Sequence, residues 1–271
     1  MSNKRIGLFT IIQNEDFFLN IWLEYYKKYF PAQDIYVLNH SSTVESCLKI
    51  LKKAKEDGAN VVPVHRDLSF DHAWLRITVE NFQRFLLQSY DYVVFAEADE
   101  ILTPNPLAYQ KGIYSYIIDT FESNSSLEVL RCVGFNVEHV PKAEMKLDLS
   151  KPVLDQRSRW RRTFFYDKCL ISKVPLRWVN GFHFLATSEN PPFRPELVLI
   201  HLHKMDYDLC KLKHSESAKR KWSQYDIETR QGEQNRIDSG AEFDNWFFGG
   251  NPHQPTENYL IDIPPHFKGV V

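Results

Sequence analysis

Between residues 5 and 95 the hydrophobic pattern changes period repeatedly, and this alternation limits the fold more than any other feature of the chain. Residues 5–12 form a short, nearly continuous apolar run, as expected of a strand covered on both faces. Over 16–30 the period becomes helical: Phe18, Ile21, Trp22, Tyr25, Tyr26 and Tyr29 lie on one stripe, and Pro31 closes it. Ile35–Leu38 reads as a second strand. Ser42 and Glu45 have capping-box spacing for a helix that runs to Gly58. Val61–Val64 is a third strand, residues 71–89 a helix with Trp74, Leu75, Thr78, Phe82, Phe85 and Leu86 inward, and Tyr92–Phe95 a fourth strand. Strands separated by helices predict an α/β fold with a mostly parallel sheet, whose ligands bind at the carboxyl ends of the strands.

The rhythm fades in the second half. A helix near 106–121 and strands near 127–133 and 197–200 are legible, whereas 136–195 is irregular and broken by prolines. Residues 205–231 look helical and strongly charged, and the tail carries Trp246-Phe247-Phe248. We therefore expect an α/β half over 1–105 and an irregular half over 106–271, forming one continuous domain.

The fourth strand runs straight into Glu97-Ala98-Asp99-Glu100. In an extended segment Glu97 and Asp99 share a face and repel each other, which a divalent cation such as Mg²⁺ or Mn²⁺ relieves; a solvated acidic strand end is the alternative. The later strand runs into His201-Leu202-His203-Lys204. An imidazole there completes a carboxylate site and favours Mn²⁺, and Lys204 suits phosphate; two ordinary, partly buried histidines are the alternative.

Charge excludes some partners. Thirty-three basic against 35 acidic residues leave a net charge of −2, which disfavours a nucleic-acid binder. Cys47, Cys132, Cys169 and Cys210 are scattered and form no CxxC pair, as expected of buried thiols. No apolar run is long enough to span a membrane, and the start of the chain reads as a strand rather than a signal peptide, so a cytoplasmic location is expected. Residues 151–177 hold eight basic and two acidic side chains, among them Arg157, Arg159, Arg161 and Arg162. That segment reads as a solvated basic face, a site for an anionic acceptor, or a peripheral membrane contact through 157–162.

Three segments together resemble the GT-A glycosyltransferases of the family 2 and family 92-like group. They are Thr10-Ile11-Ile12-Gln13-Asn14-Glu15 with the Leu19–Tyr26 helix, Asp91–Leu102 around a DxD-like motif, and Ile200–Lys204. The resemblance implies a GT-A-type nucleotide-binding sheet with an irregular acceptor region. It also implies transfer of a sugar from a nucleotide diphosphate-sugar, UDP-linked before GDP-linked, to a glycan or lipid-linked hydroxyl. It places Asp99, Glu97 and His201 at a Mn²⁺ or Mg²⁺ ion, with His203 competing for the histidine role. Gln13, Asn14, Glu15, Asn39, Ser41, Arg76, Lys204 and Glu97 itself become donor contacts. For an inverting reaction Glu189 becomes the general base, chosen over Asp148 and Asp155. Two departures stand out: Glu97 replaces the first Asp, and the loop 39–44 has lost the acidic residues usual there.

The alternatives are a non-catalytic nucleotide- or carbohydrate-binding module of the same fold, a nucleotidyltransferase and a metal hydrolase. The second is weakened by the absence of any glycine between Gly7 and Gly58, where a phosphate loop belongs. The third lacks an HExxH motif.

Overall fold

The computed structural model describes residues 4–64, 69–187, 190–238, 240–249 and 260–271. The chain opens with β1 (Ile6–Ile12), α1 (Phe17–Tyr26), β2 (Ile35–Asn39), α2 (Glu45–Glu56), β3 (Asn60–Pro63), α3 (His72–Leu86), β4 (Tyr92–Phe95) and β5 (Glu100–Pro104). It continues with α4 (Gly112–Ser123), β6 (Val129–Glu138), a short α5 (Val153–Gln156), β7 (Arg159–Arg162), β8 (Cys169–Ser172) and β9 (Phe193–His201). The last elements are α6 (Tyr207–Ala218), α7 (Gln224–Glu228), α8 (Gly240–Gly249) and β10 (Leu260–Asp262). Among the described residues, helices flank one sheet of ten strands whose main path is β10-β7-β6-β8-β4-β1-β2-β3, with β9 joined to β6 and β5 to β9.

The four strands β3, β2, β1 and β4 pair in parallel, as the alternation predicts. Ile6, Leu8, Phe9, Val37, Val93, Val94 and Phe95 are fully buried. Each such side chain contributes roughly 1.5–3 kcal/mol of apolar transfer. Beyond β4 the pairing is mixed: β8 runs antiparallel to β4 and β6, β5 antiparallel to β9, and β6 parallel to β9.

Two helices begin differently from expectation. Ser42 does not cap α2, which starts at Glu45 with Val44 at the cap position. Instead the Ser42 hydroxyl accepts from the Asn14 N–H, and Asn14 Oδ1 accepts from the N–H groups of Thr43 and Val44. The inward face of α3 holds Val79, Glu80, Gln83 and Leu86, while Phe85 is exposed. This face is partly polar because it holds the chain around 172–178. Gln83 donates to Ser172 and accepts from Leu176 N, and Glu80 accepts from Trp178 N.

The stretch 136–195 is more regular than its sequence suggests, since β7 and β8 lie inside it. The arginines of 157–162 each meet a carboxylate: Arg157 with Asp206, Arg159 with Asp262, Arg161 with Glu138 and Arg162 with Asp167. Arg157, Arg161 and Arg162 are thus tied into the sheet and its loops, and Arg159 stays open to solvent. Trp160 between them is buried and stacks on Phe135 at 4.4 Å. The expected long helix over 205–231 is interrupted after Ala218 and resumes at Gln224. All four cysteines are free and buried. Among the described residues, no helix is long and apolar enough to cross a membrane.

Candidate active site

The site forms where the carboxyl ends of β1, β4 and β9 converge. Two tyrosines of α1 hold its floor: Tyr25 donates to Leu102 O, and Tyr26 accepts from Leu102 N. These bonds anchor β5 just beyond the acidic segment. The chain turns over 97–100, with Glu100 N donating to Glu97 O, and does not continue as a strand. Glu97 and Asp99 therefore diverge. Lys168, 1% exposed, lies 2.8 Å from Glu97 and 2.6 Å from Glu100. The repulsion assigned in sequence to a cation is thus relieved, at Glu97, by a lysine. Burial disfavours the Lys168 charge, yet Glu100 and Glu97 override it and raise its pKa.

Asp99 takes the other side of the turn. Its Oδ2 lies 3.5 Å from His201 Nε2, 3.3 Å from His203 Nδ1 and 3.7 Å from Lys213 Nζ. Burial pushes its pKa up, but Lys213, His201 and His203 outweigh burial and hold the carboxyl well below the usual carboxylate range. Both imidazoles are oriented from behind. His201 Nδ1 lies 2.8 Å from Asn136 Oδ1, and the Asn136 amide nitrogen faces Glu138, which fixes the amide's sense. His201 Nδ1 is therefore the donor, and its Nε2 faces Asp99. His203 Nε2 meets His214 Nε2 at 3.0 Å. Burial pushes His203 down to about 4 and His214 to about 3, so both rings are neutral at neutral pH.

Tyr166 stacks on His201 at 4.0 Å. This contact depends on Gly134, where a Cβ would lie 2.2 Å from the Tyr166 Cβ and 2.5 Å from its backbone. No side chain larger than hydrogen fits there.

The ligand atoms of Asp99, His201 and His203 lie within 4.8 Å of one another. Atoms bound at about 2.1 Å to a common ion are roughly 3.0–3.4 Å apart, so the 3.3 and 3.5 Å separations suit one divalent cation. Two imidazoles and one carboxylate match Mn²⁺ and related metals better than Mg²⁺. The Asn136 and His214 contacts supply the outer hydrogen bonds that metal-binding histidines use. Glu97 is not part of this group.

The remaining sequence candidates separate into two sets. A cavity of about 260 Å³ is lined by Gln13, Glu15, Glu97, Asp99, His201 and Lys204, together with His183 and Trp246. Lys204 reaches it, but its ammonium donates to the carbonyls of Trp246 and Phe247, and burial lowers its pKa. Arg76 pairs with Glu80 and donates to Asn180, bracing the loop after β8 rather than facing the cavity. Asn39 accepts from Ser42 N, and Ser41 sits in the left-handed region at φ 52°. Those two residues and Asn14 shape the loops beside the cavity. Trp178 is core. Asp148 lies outside the cavity lining, where Ser150 holds its carboxyl down to about 2. Glu189 lies outside the described residues.

Sequence reasoning missed Lys168, Lys213, Arg220 and His214. Lys213 bridges Glu15, at 3.0 Å, and Asp99; Arg220 lies 3.8 Å from Glu15 and donates to Gln13 O. A signal was present: Lys213, Ser217 and Arg220 recur at helical spacing and face the same cavity.

No family model matches the chain, and no curated protein matches it. The chain is weakly similar to several solved structures. S. aureus TarS 1-349 in complex with UDP is 13% identical, covering 91% of this chain and 72% of its own, with a TM-score of 0.42. Glucosyl-3-phosphoglycerate synthase from Mycobacterium tuberculosis, with Mn²⁺, UDP and glucosyl-3-phosphoglycerate, is 18% identical over 49% of this chain and 45% of its own, with a TM-score of 0.33. A Bacillus anthracis structure assigned as a glucose-1-phosphate thymidylyltransferase is 12% identical over 51% and 57%, with a TM-score of 0.33. The chain therefore spans about half the length of these last two. At such identities and scores the functional reading has to come from the site itself.

Proposed function

We propose that this chain is a metal-dependent glycosyltransferase that moves a sugar from a nucleotide diphosphate-sugar to a hydroxyl acceptor, with UDP the first donor nucleotide to test. The carrying observation is the Asp99–His201–His203 cluster at the strand ends, beside a cavity that Lys213 and Arg220 also line. Asp99, His201 and His203 would hold the ion. When bound, a divalent cation supplies charge neutralisation on the leaving diphosphate. Asn136 and His214 hold the two imidazoles in place through the ring nitrogens that face away from Asp99. Gln13 and Glu15, at the end of β1 and in the cavity lining, are the proposed ribose or base contacts. Glu189 is the proposed general base of an inverting transfer, on sequence grounds alone.

Thermal shift with Mn²⁺ and UDP or GDP tests the reading. Ligand at 100 times its dissociation constant adds about 2.7 kcal/mol of stability. We expect a Mn²⁺-dependent nucleotide shift that disappears in Asp99→Asn. No shift with any nucleotide would favour the non-catalytic binding module. A metal shift indifferent to nucleotide would favour the metal hydrolase.

A further inference from the structure

The cavity holds more cationic charge than the metal cluster needs. From α6 and the turn after it, Lys213, His214, Ser217 and Arg220 reach the same cavity as β1 and the 97–100 turn. Lys213 Nζ lies between Glu15 Oε2 at 3.0 Å and Asp99 Oδ2 at 3.7 Å, 4.3 Å from the centre of the Phe18 ring. Arg220 lies 3.8 Å from the other Glu15 oxygen and 5.7 Å from the centre of the Phe70 ring. Both side chains keep about a fifth of their surface open, at 19% and 21%. Lys168 is already committed to Glu97 and Glu100, so Glu15 and Asp99 balance Lys213 and Arg220.

We propose that Lys213 and Arg220 form the diphosphate-binding pair of this site, masked in the unliganded chain by Glu15 and Asp99, so that metal and diphosphate bind cooperatively. Lys213 occupies the side of Asp99 that a cation needs. A divalent ion arriving alone meets that ammonium and leaves the site with excess positive charge. A diphosphate arriving alone must compete with Glu15 for both cations. Arriving together, the diphosphate draws Lys213 and Arg220 away from the carboxylates, Asp99 is released to the ion, and the added charges nearly cancel. Such coupling is reciprocal: whatever factor the nucleotide adds to metal affinity, the metal adds to nucleotide affinity. The inference rests on the glycosyl-transfer reading only for the identity of the diphosphate.

The test titrates the full chain with Mn²⁺ and follows the electron paramagnetic resonance signal of the free ion, with and without UDP or GDP. Wild type should bind Mn²⁺ weakly alone and roughly tenfold more tightly with UDP. Lys213→Gln should bind Mn²⁺ alone roughly tenfold more tightly than wild type and lose most of the UDP enhancement. Arg220→Gln should weaken UDP binding in the presence of Mn²⁺. Glu15→Gln gives Lys213 wholly to Asp99 and should weaken Mn²⁺ binding alone, so the proposal stays testable if the Lys213 variant does not fold. Equal Mn²⁺ affinity in wild type, Lys213→Gln and Glu15→Gln overturns the masking, and an equal UDP enhancement in wild type and Lys213→Gln overturns the pair. If neither nucleotide binds wild type, the glycosyl-transfer reading falls, and the Mn²⁺-alone titrations still decide the competition for Asp99. Absence of Mn²⁺ binding in every variant overturns both.

Discussion

The two halves of the sheet are held by different forces. In β1, β2 and β4 the strands are apolar on both faces, and the helices between them cover those faces. In β6, β7 and β8 the strands carry or adjoin charges that are neutralised across the fold. Glu138 takes Arg161 through two bonds, at 2.6 and 2.9 Å, and Lys168 takes Glu97 and Glu100. Arg157, 1% exposed, reaches Asp206 and the Met205 carbonyl. The first half is stabilised by area removed from water, which tolerates many apolar side chains. The second depends on specific partners, because a buried charge that loses its partner keeps its desolvation cost. The candidate site lies on the seam, with Asp99 supplied by the first half and both of its histidines by the second.

The sharpest way to break this comparison is Lys168→Met. It leaves Glu97 and Glu100 without their shared cation, and Glu100 is fully buried. Urea unfolding should show a loss of about 3–5 kcal/mol. A loss below about 1 kcal/mol would mean that these carboxylates simply take up protons, as burial already encourages in Glu100.

Acid titration comes next. Burial pushes His183 down to about 3 and His214 likewise, whereas an unfolded histidine titrates near 6.5. The unfolded chain therefore takes these protons first. Their contribution is constant above about pH 6.5 and falls as pH drops from there toward 3, by about 1.4 kcal/mol per pH unit for each histidine. His183→Gln should flatten the pH dependence of the unfolding midpoint by one such increment, and an unchanged slope would show that His183 titrates normally.

The smallest expected effect sharpens the same contrast. Arg159 pairs with Asp262, but both side chains are open to solvent, at 42% and 80%. Arg159→Gln should leave stability within about 0.5 kcal/mol of wild type. If it costs as much as Lys168→Met, burial is not what separates the pairs.

The first half was largely legible because its signals are local. A stripe such as Phe18, Trp22, Tyr25 and Tyr26 declares a helix from neighbouring residues, and β1 and β4 declare themselves as apolar runs. Asp99 and His201 were legible as residues at strand ends, although their meeting depends on β5 pairing with β9. Phe85 and the Ser42 cap misled because a local pattern was outweighed by hydrogen bonds from distant segments. The charged strand β7 was unreadable for the same reason, since Arg161 and Arg162 look solvent-facing until Glu138 and Asp167 are placed beside them.

By itself the sequence determined the parallel αβ core, the buried thiols and the acidic and histidine-bearing strand ends, because periodicity and burial act between residues a few positions apart. Only the tertiary structure decided that Lys168 takes Glu97, that His203 joins His201 at Asp99 and that Lys213 bridges Asp99 and Glu15. Those choices are electrostatic, and a charge finds its partner by distance in space, which residue order alone does not specify.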